Sequence, residues 1–491
     1  MGTGAPHWAA ELLLDLSQAS VPRRQTKAAQ VEESIRQAIQ SGRLSPGSRM
    51  PPSRALADEL ACSRSVVVSA YERLAAQGFL RSRRGSGTVV ANVSQPPVST
   101  SVPRQQPPQH RFNFTAGVAD LSMFPRSEWS SAVRHVMSTA SRDEFRYNAP
   151  NGIPQFREAL SQRLARVRGV VADAHDIHAC SGTVQSLSLL AHTLAGEGHR
   201  SIAVEDPSWD MVRPPLAAAG LRLVPIGVDD DGVCVSELWE HPDVRAVVVT
   251  PAHQFPLGAV MSQARRTELL RWAQARDAVI IEDDYDAEFS YGRRSRPALQ
   301  PDAPDRVVYL GTTSKILSPA LRLGWMVTPA WMTPCVSTIR ASFDLGVPAL
   351  EQLSMTYLIT TGTLDRHLRR TRPKYDRRRR ALISALHAEL DDVEVSSAPA
   401  GLHLLARFPH GCSEGRLVAE AARRSVSVLG LAPYRLVDPP QSRPTLVLGY
   451  ANMTENLIVS GVQELARAWR EICGSTQRNR EDSRPDGPSQ P

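Results

Sequence analysis

The sequence predicts two folded parts of different class: a small α+β module at the N-terminus and a large α/β body behind it. Three observations divide the chain. Residues 1–92 hold 12 Lys+Arg against 7 Asp+Glu, so they carry +5 of the total +7 in less than a fifth of the 491 residues. Residues 93–111 read VSQPPVSTSVPRQQPPQHR, a Pro-, Ser- and Gln-rich stretch too poor in large apolar residues to fold and read as a semi-rigid spacer. Beyond it, short β-rich runs alternate with helix-like stretches, as in a layered α/β structure with a mostly parallel buried sheet.

Composition excludes several classes. At 42% hydrophobic and 22% charged residues the chain is not globally disordered. No apolar run approaches the ~18 residues of a membrane span. The start lacks a secretory pattern, because Glu11 and Asp15 bracket only three leucines. Six cysteines without a CxxC pair argue against a disulfide framework or a zinc cluster, and no metal is expected. The expected home is the cytoplasm. The expected parts are 12–92, the linker 93–111, the body 112–473 and a disordered, polar, Pro-containing tail over 474–491.

In the N-terminal module, Ala28, Val31, Ile35, Ala38 and Ile39 recur at spacings of three and four, as on one face of a helix that stops near Gly42. Ser53 is read as the cap of a second helix with Leu56 and Leu60 inward. After a turn at Ala61–Cys62, Ser63 is read as the cap of a third, with Val67, Tyr71 and Leu74 buried and Gly78 at its end. Two short helices joined by a tight turn make a helix-turn-helix, with the third as reader of the major groove. Phe79 to Ala91 then reads FLRSRRGSGTVVA: two β-prone arms around Gly85–Ser86–Gly87, a basic hairpin carrying Arg81, Arg83 and Arg84. These arginines, with Arg54 and Arg64, are suited to phosphates. A basic cluster alone would be read as a solvated surface; the order of helices and hairpin makes it a winged helix that binds double-stranded DNA.

MPPSRALADELACSRSVVVSAYERLAAQGFLRSRRGSGTVV resembles the winged helix of the GntR family of bacterial regulators, over about residues 26–91. The resemblance implies operator contacts from Arg54, Ser63, Arg64, Ser65 and Gly87, and with the wing also Arg84 and Gly85.

In the body, VVYLGTTSKILSPALRLGW (Val307 to Trp325) carries a buried strand into a loop with Thr312, Ser314 and Lys315, and Arg322 follows. A lone lysine is normally solvated. Set beyond a buried strand, beside hydroxyls and an arginine, it is a candidate for covalent attachment of an aldehyde cofactor, with Thr312, Ser314 and Arg322 on an anionic group. VIIEDDYDAEF (Val279 to Phe289) ends another strand in acids. Asp283 is suited to a pyridine nitrogen and Tyr285 to the ring's phenolic oxygen. A magnesium site from Glu282, Asp283, Asp284 and Asp286 competes, but would not need Lys315.

Further loops fit the same chemistry. Ser181–Gly182–Thr183–Val184 opens an apolar helix whose N–H groups suit phosphate, or is an ordinary helix start. Trp209 in EDPSWD could stack on a flat ring or belong to the core. His253 in TPAHQFPLG could bond a cofactor oxygen or be a satisfied core histidine. The segment DRHLRRTRPKYDRRRR, with nine Lys+Arg, reads as the solvated face of a helix rather than a DNA track.

Together YNAPNGIPQFREAL, VEDPSW, TPAHQFPLG, IIEDDYDAEFSYG and YLGTTSKILSPALRLG resemble the fold-type I pyridoxal-phosphate aminotransferases. Joined to the GntR-like module, they resemble the MocR class of regulators over about residues 26–472. That resemblance implies pyridoxal 5'-phosphate as cofactor, Lys315 as the Schiff-base lysine, Asp283 as pyridinium partner and Tyr285 as the O3′ contact. It implies a phosphate cup from Arg322, Ser314, Thr183 and Val184, and puts Tyr147 and Asn148 on a loop approaching the cofactor. The family usually has Tyr where this chain has Trp209, and often Phe at Thr313, so effector size is expected to differ. Arg435 and Arg443 both stand as candidates for an effector carboxylate, with Arg435 preferred.

The expected function is a transcription regulator whose body senses an amine, an amino acid or pyridoxal phosphate itself. The resemblance implies a head-to-tail homodimer, and its two-fold symmetry predicts paired DNA half-sites; the long spacer also permits direct repeats. An active aminotransferase with an accessory DNA-binding module, and a DNA-binding protein with an empty pocket, are the competing readings.

Overall fold

The computed structural model describes residues 26–83, 87–92, 110–291, 296–396, 399–410, 412–437 and 443–481, with backbone alone over 474–481. The chain divides into two compact units, Met1–Pro107 and Pro108–Pro491.

In the first unit, helices Lys27–Gln40, Ser53–Glu59 and Arg64–Ala76 precede the antiparallel pair β1 (Leu80–Arg83) and β2 (Gly87–Val90). The spacing expected for the first helix holds: Val31, Ile35, Ala38 and Ile39 are buried, and they share one core with Leu56, Val67, Tyr71 and Leu74. Fully burying each of the large aliphatic side chains contributes about 1.5–3 kcal/mol. The turn between the second and third helices places Ala61 at φ 48, and its tightness is what sets the two helices at an angle. Ser53 does not cap: Pro52 stands at that position and Ser53 is the first helical residue. Ser63 does hold the cap position, but its Oγ pairs with Ser65 Oγ at 2.9 Å instead of a backbone N–H. Residues 12–25, Arg84, Gly85 and most of the linker lie outside the described residues.

The second unit is built on an eight-stranded sheet. Its strands are β4 (Ile177–Cys180), β5 (Ser201–Asp206), β6 (Arg222–Asp229), β7 (Gly232–Val233), β8 (Ala246–Val249), β9 (Val279–Asp283), β10 (Val307–Thr312) and β11 (Gly324–Val327). They lie in the order β4-β11-β10-β9-β8-β5-β6-β7. β6, β5, β8, β9 and β10 run parallel; β11 and β7 are antiparallel to their neighbours. Near-continuous burial along β4, β8, β9, β10 and β11 follows from helices covering both faces, which leaves no polar side to a strand. Since β4 and β10 both oppose β11, the carboxyl ends of β4, β5, β8, β9 and β10 open at one edge.

A smaller four-stranded antiparallel sheet contains β12 (Glu394–Ser396), β13 (His403–Arg407), β15 (Leu429–Gly430) and β16 (Thr445–Gly449), while β14 (Val426–Ser427) pairs with β3 (Phe112–Asn113). Helices Thr363–Glu389 and Glu455–Glu481 pack against this part. The last helix runs on to Glu481, past the boundary expected at 473, while its core-facing stripe of Ile458, Val462, Leu465, Ala466 and Trp469 lies before that boundary. The basic segment lies in helix Thr363–Glu389. Its Arg370, Arg372, Arg377 and Arg378 pair with Glu128, Glu288, Glu455 and Asp120, so the charge is largely neutralised within the body. Among the described residues no helix is long and apolar enough to cross a membrane.

Candidate functional site

In the head, Arg54, Ser63, Arg64 and Ser65 are all exposed, at the starts of the second and third helices. Arg64 Nε reaches Ser53 Oγ at 3.4 Å, which links the two helix starts. Tyr71 Oη donates to the Pro51 carbonyl at 3.0 Å and pins the preceding loop to the third helix; burial raises its pKa. Arg36 and Arg73 pair with Glu32, whereas Arg54, Arg64 and Arg81 have no ion pair among the described residues. The unpaired exposed cations thus include those at the helix starts and on the wing, beside Arg43 and Arg49 in the loop after the first helix. Gly87 takes φ 90 at the start of β2, a conformation that favours glycine. Arg49 was not singled out from sequence. It bridges to Val89 and stands exposed beside the wing; the signal, a lone arginine before a proline pair, is too common to read.

In the body, a cavity of about 250 Å³ opens at the carboxyl edge of the parallel strands. Lys315, from the loop after β10, donates from Nζ to the Gly117 carbonyl at 2.6 Å. Gly117 has φ 74, and a Cβ there would lie 3.1 Å from that Nζ, so the glycine leaves the amine its room. Burial lowers the pKa of Lys315, against the opposing pull of Asp286 and Asp283. Asp283, at the end of β9, faces the cavity with its Oδ1 buried and without a hydrogen-bond partner. Burial, and then the neighbouring Asp284 charge, raise its pKa to about 7.

The four acids of the EDDYD segment separate. Glu282 accepts from the backbone N–H groups of Leu299 and Gln300, and Asp284 accepts from Arg168 at 2.7 Å and from Tyr309 at 2.6 Å. Asp286 Oδ2 lies 3.0 Å from His253 Nδ1. Alternation along an extended chain sends neighbouring side chains to opposite faces, so only Asp283 lines the cavity and the four-acid magnesium arrangement does not form.

At the other end of the cavity, Arg322 is held at φ 47 after the short turn Pro319–Leu321, with its guanidinium beside Gly182. Thr183 and Val184 begin helix Thr183–Gly196, whose first N–H groups point outward, as anion sites require. Thr312 Oγ1 donates to Ser314 Oγ at 2.9 Å and accepts from Ser314 N–H at 3.1 Å. Lys315, Asp283, Tyr285, Thr312, Ser314, Arg322, Thr183, Val184 and Trp209 therefore come together around one space.

His253, Tyr147, Asn148, Arg435 and Arg443 do not join them. His253 is buried behind Tyr285: its Nδ1 lies 3.2 Å from Tyr285 Oη and 3.0 Å from Asp286 Oδ2, and Tyr285 donates to the His253 carbonyl at 3.1 Å. Asn148 Nδ2 donates to the Arg146 carbonyl on its own loop, and Tyr147 is 89% exposed. Arg435 follows Tyr434, whose ring lines the cavity, but its own side chain is not in the lining.

Two family matches account for nearly all of this. Residues 27–90 match the bacterial regulatory proteins of the gntR family, and residues 112–459 match aminotransferase class I and II. The chain is 30% identical over 482 residues to the probable rhizopine catabolism regulatory protein MocR of Rhizobium meliloti, covering 93% of this chain and 97% of that one. It is 31% identical over 435 residues to the HTH-type pyridoxine biosynthesis transcriptional regulator PdxR of Corynebacterium glutamicum, covering 86% and 92%. The chain belongs to the MocR-type regulators. Among solved structures, the MocR-type body has the fold of an archaeal alanine:glyoxylate aminotransferase (TM-score 0.68, 24% identity, 73% of this chain and 91% of that one). It has likewise the fold of the multiple substrate aminotransferase from Thermococcus profundus (TM-score 0.69, 23% identity, 75% and 93%).

The cavity of this MocR-type chain suits pyridoxal phosphate on an observation of its own. Asp283 Oδ1 lacks a donor in a buried setting, which is costly unless one arrives, and a ring N–H is a group that would supply it. Glu205 was overlooked in sequence although it stands in the quoted VEDPSW. It lines the same cavity, accepts from Thr250 Oγ1 at 2.5 Å and Gln254 Nε2 at 3.1 Å, and burial raises its pKa to about 7.

Proposed function

We propose that this regulator holds pyridoxal 5'-phosphate on Lys315 and uses it to sense a small amine, an amino acid or the cofactor itself. The observation that carries the proposal is the pairing, in one cavity, of a buried lysine amine with an aspartate oxygen that has no partner. Pyridoxal phosphate supplies, when bound, an aldehyde that exchanges between amines and a ring that withdraws electrons. Asp283 would keep a proton on the ring nitrogen, and Tyr285, turning its hydroxyl from the His253 carbonyl, would donate to the ring oxygen. Arg322, Ser314, Thr312 and the first N–H groups of helix Thr183–Gly196 would hold the phosphate, and Trp209 would cover one ring face. Gly117 would hold and release the Lys315 amine.

The head would bind double-stranded operator DNA through Arg54, Ser63, Arg64, Ser65 and Gly87, in the cytoplasm where that DNA lies. Arg84 and Gly85 belong to the same proposed wing contact. We also propose a homodimer, head-to-tail in keeping with the family. Phe145, Tyr147, Phe343 and Leu345 are each more than half exposed, and the 149–150 backbone lies against Gly346, so the two segments that carry them meet and would offer apolar side chains to a second copy. Tyr147 and Asn148 would then be free to reach a partner's cavity.

The test is the visible absorption of the full chain after incubation with pyridoxal phosphate, beside Lys315→Ala, followed by borohydride reduction and peptide mapping. The label is expected on Lys315 and absent from the variant; label elsewhere overturns the proposal. An aminotransferase reading is favoured by the lowered pKa of Lys315, which suits proton transfer. Multiple turnovers with an amine and a keto acid would select it.

A further inference from the structure

We propose that the ligand half of this cavity takes a primary amine with an aromatic or branched-alkyl body and no carboxylate. This rests on the cofactor reading above and goes on to the class of effector. The cavity has two unlike ends. Arg322, Ser314 and the start of helix Thr183–Gly196 form the anion end. The opposite end is walled by Trp209, Phe255, Tyr434 and Ala116. Phe255 meets Tyr434 edge-on, with ring centroids 5.1 Å apart, and both rings are backed by Leu405, Leu431 and Val447 in one buried apolar cluster.

The charged side chains of the described lining are Arg322, Lys315, Glu205 and Asp283. One cation belongs to the anion end and the other is the reacting amine. A ligand carboxylate placed among Trp209, Phe255 and Tyr434 would therefore find no cation and would face Glu205. An unpaired buried charge of that kind is strongly disfavoured. A ligand amine entering the same space meets Glu205, Asp283 being taken by the cofactor ring, and an apolar body finds a wall of rings. Neither proposed arginine changes this. Arg435 is outside the lining, and Arg443 donates to the Phe408 carbonyl at 3.2 Å and pairs with Glu394 at 3.2 Å. The rival is Arg213, one residue beyond Val212, whose Nε and Nη2 are buried without partners but which does not line the cavity.

The experiment titrates cofactor-loaded full-length protein with phenethylamine and isopentylamine, and in parallel with phenylalanine, leucine, gamma-aminobutyrate and taurine, following visible absorbance. The amines are expected to act at concentrations at least tenfold below any of the acids, and Phe255→Ala should weaken them at least tenfold. An acid acting at equal or lower concentration overturns the proposal, and loss of that response in Arg213→Gln would locate the carboxylate site. Unchanged amine affinity in Phe255→Ala also overturns it. So does silence towards every compound while the cofactor absorbance stands. Absence of the absorbance itself sinks the cofactor reading instead.

Discussion

His253 Nδ1 lies 3.0 Å from Asp286 Oδ2, and both side chains are almost fully buried behind the cavity that holds Lys315. The ring of His403 sits 4.8 Å from that of His253, its own Nε2 3.0 Å from the Pro256 carbonyl, so the two histidines and the aspartate form one packed polar core under Tyr285. Burial and the neighbouring His253 drive the His403 pKa well below its ordinary value. Asp286 is also the first of the charges that favour the cationic form of Lys315. The pair thus fixes Tyr285 by geometry and Lys315 by charge.

Replacing Asp286 with alanine would leave the His253 Nδ1–H buried without its carboxylate acceptor, at a cost of about 1–3 kcal/mol. Urea denaturation of the full chain should show that loss. The pH midpoint of the loaded protein's visible absorbance should also fall in Asp286→Asn, because a negative charge that stabilises a cation is gone. An unmoved midpoint would confine Asp286 to packing.

The raised pKa of Asp283 gives a pH dependence with a definite sign. Its folded pKa, about 7, exceeds the ordinary carboxylate value of about 4, so the folded protein binds a proton that the unfolded chain has released. This contribution to stability is complete below about pH 4, declines as pH rises to about 7 and is flat above. Cofactor affinity should run the other way, since pairing with a ring N–H needs the ionised acid. Below about pH 7 it should weaken by up to about tenfold per unit. Equilibrium dialysis of wild type and Asp283→Asn checks this: the wild-type slope should vanish in the variant.

On the DNA side, Arg64→Ala should lower the salt dependence of binding to a random-sequence duplex. One lost phosphate contact reduces the slope of log K against log salt by about 0.9. Fluorescence anisotropy of the full chain over a range of salt gives the slopes. Arg36→Ala serves as the comparison, because its guanidinium is already committed to Glu32 and Glu33, and its slope should stay that of wild type.

Self-association should depend on the exposed apolar patch. Phe343→Asp together with Tyr147→Asp should shift sedimentation toward the single-chain species without loss of helix content, since the two side chains are 54% and 89% exposed. An unchanged sedimentation coefficient would remove this patch from the interface.

The readable parts of the sequence were those with local signals. A buried strand ending in small hydroxyls marked Lys315, and the alternation of β9 with its loop marked Asp283 and Tyr285. Helical spacing marked the core of the head. The unreadable parts depend on residues far apart in the chain. Gly117 is 198 positions from the lysine it receives, and His253 is 33 from the aspartate that draws it away from the cavity. Arg435 and Asn148 sat in suggestive motifs, yet loop conformation, which no short pattern records, decides where their side chains go. Glu205 was legible in principle: period two along β5 sets it on a face, but not which space that face meets.

Asp206 accepts from the N–H groups of Leu436 and Val437, and Ser208 N–H donates to the Tyr434 carbonyl. These ties make the β5 loop and the Tyr434 loop a single jaw with one tooth from each, Trp209 and Tyr434. Because the two loops are tied, the spacing between these rings is set like the mesh of a sieve, and guests would be sorted by thickness before any chemistry begins.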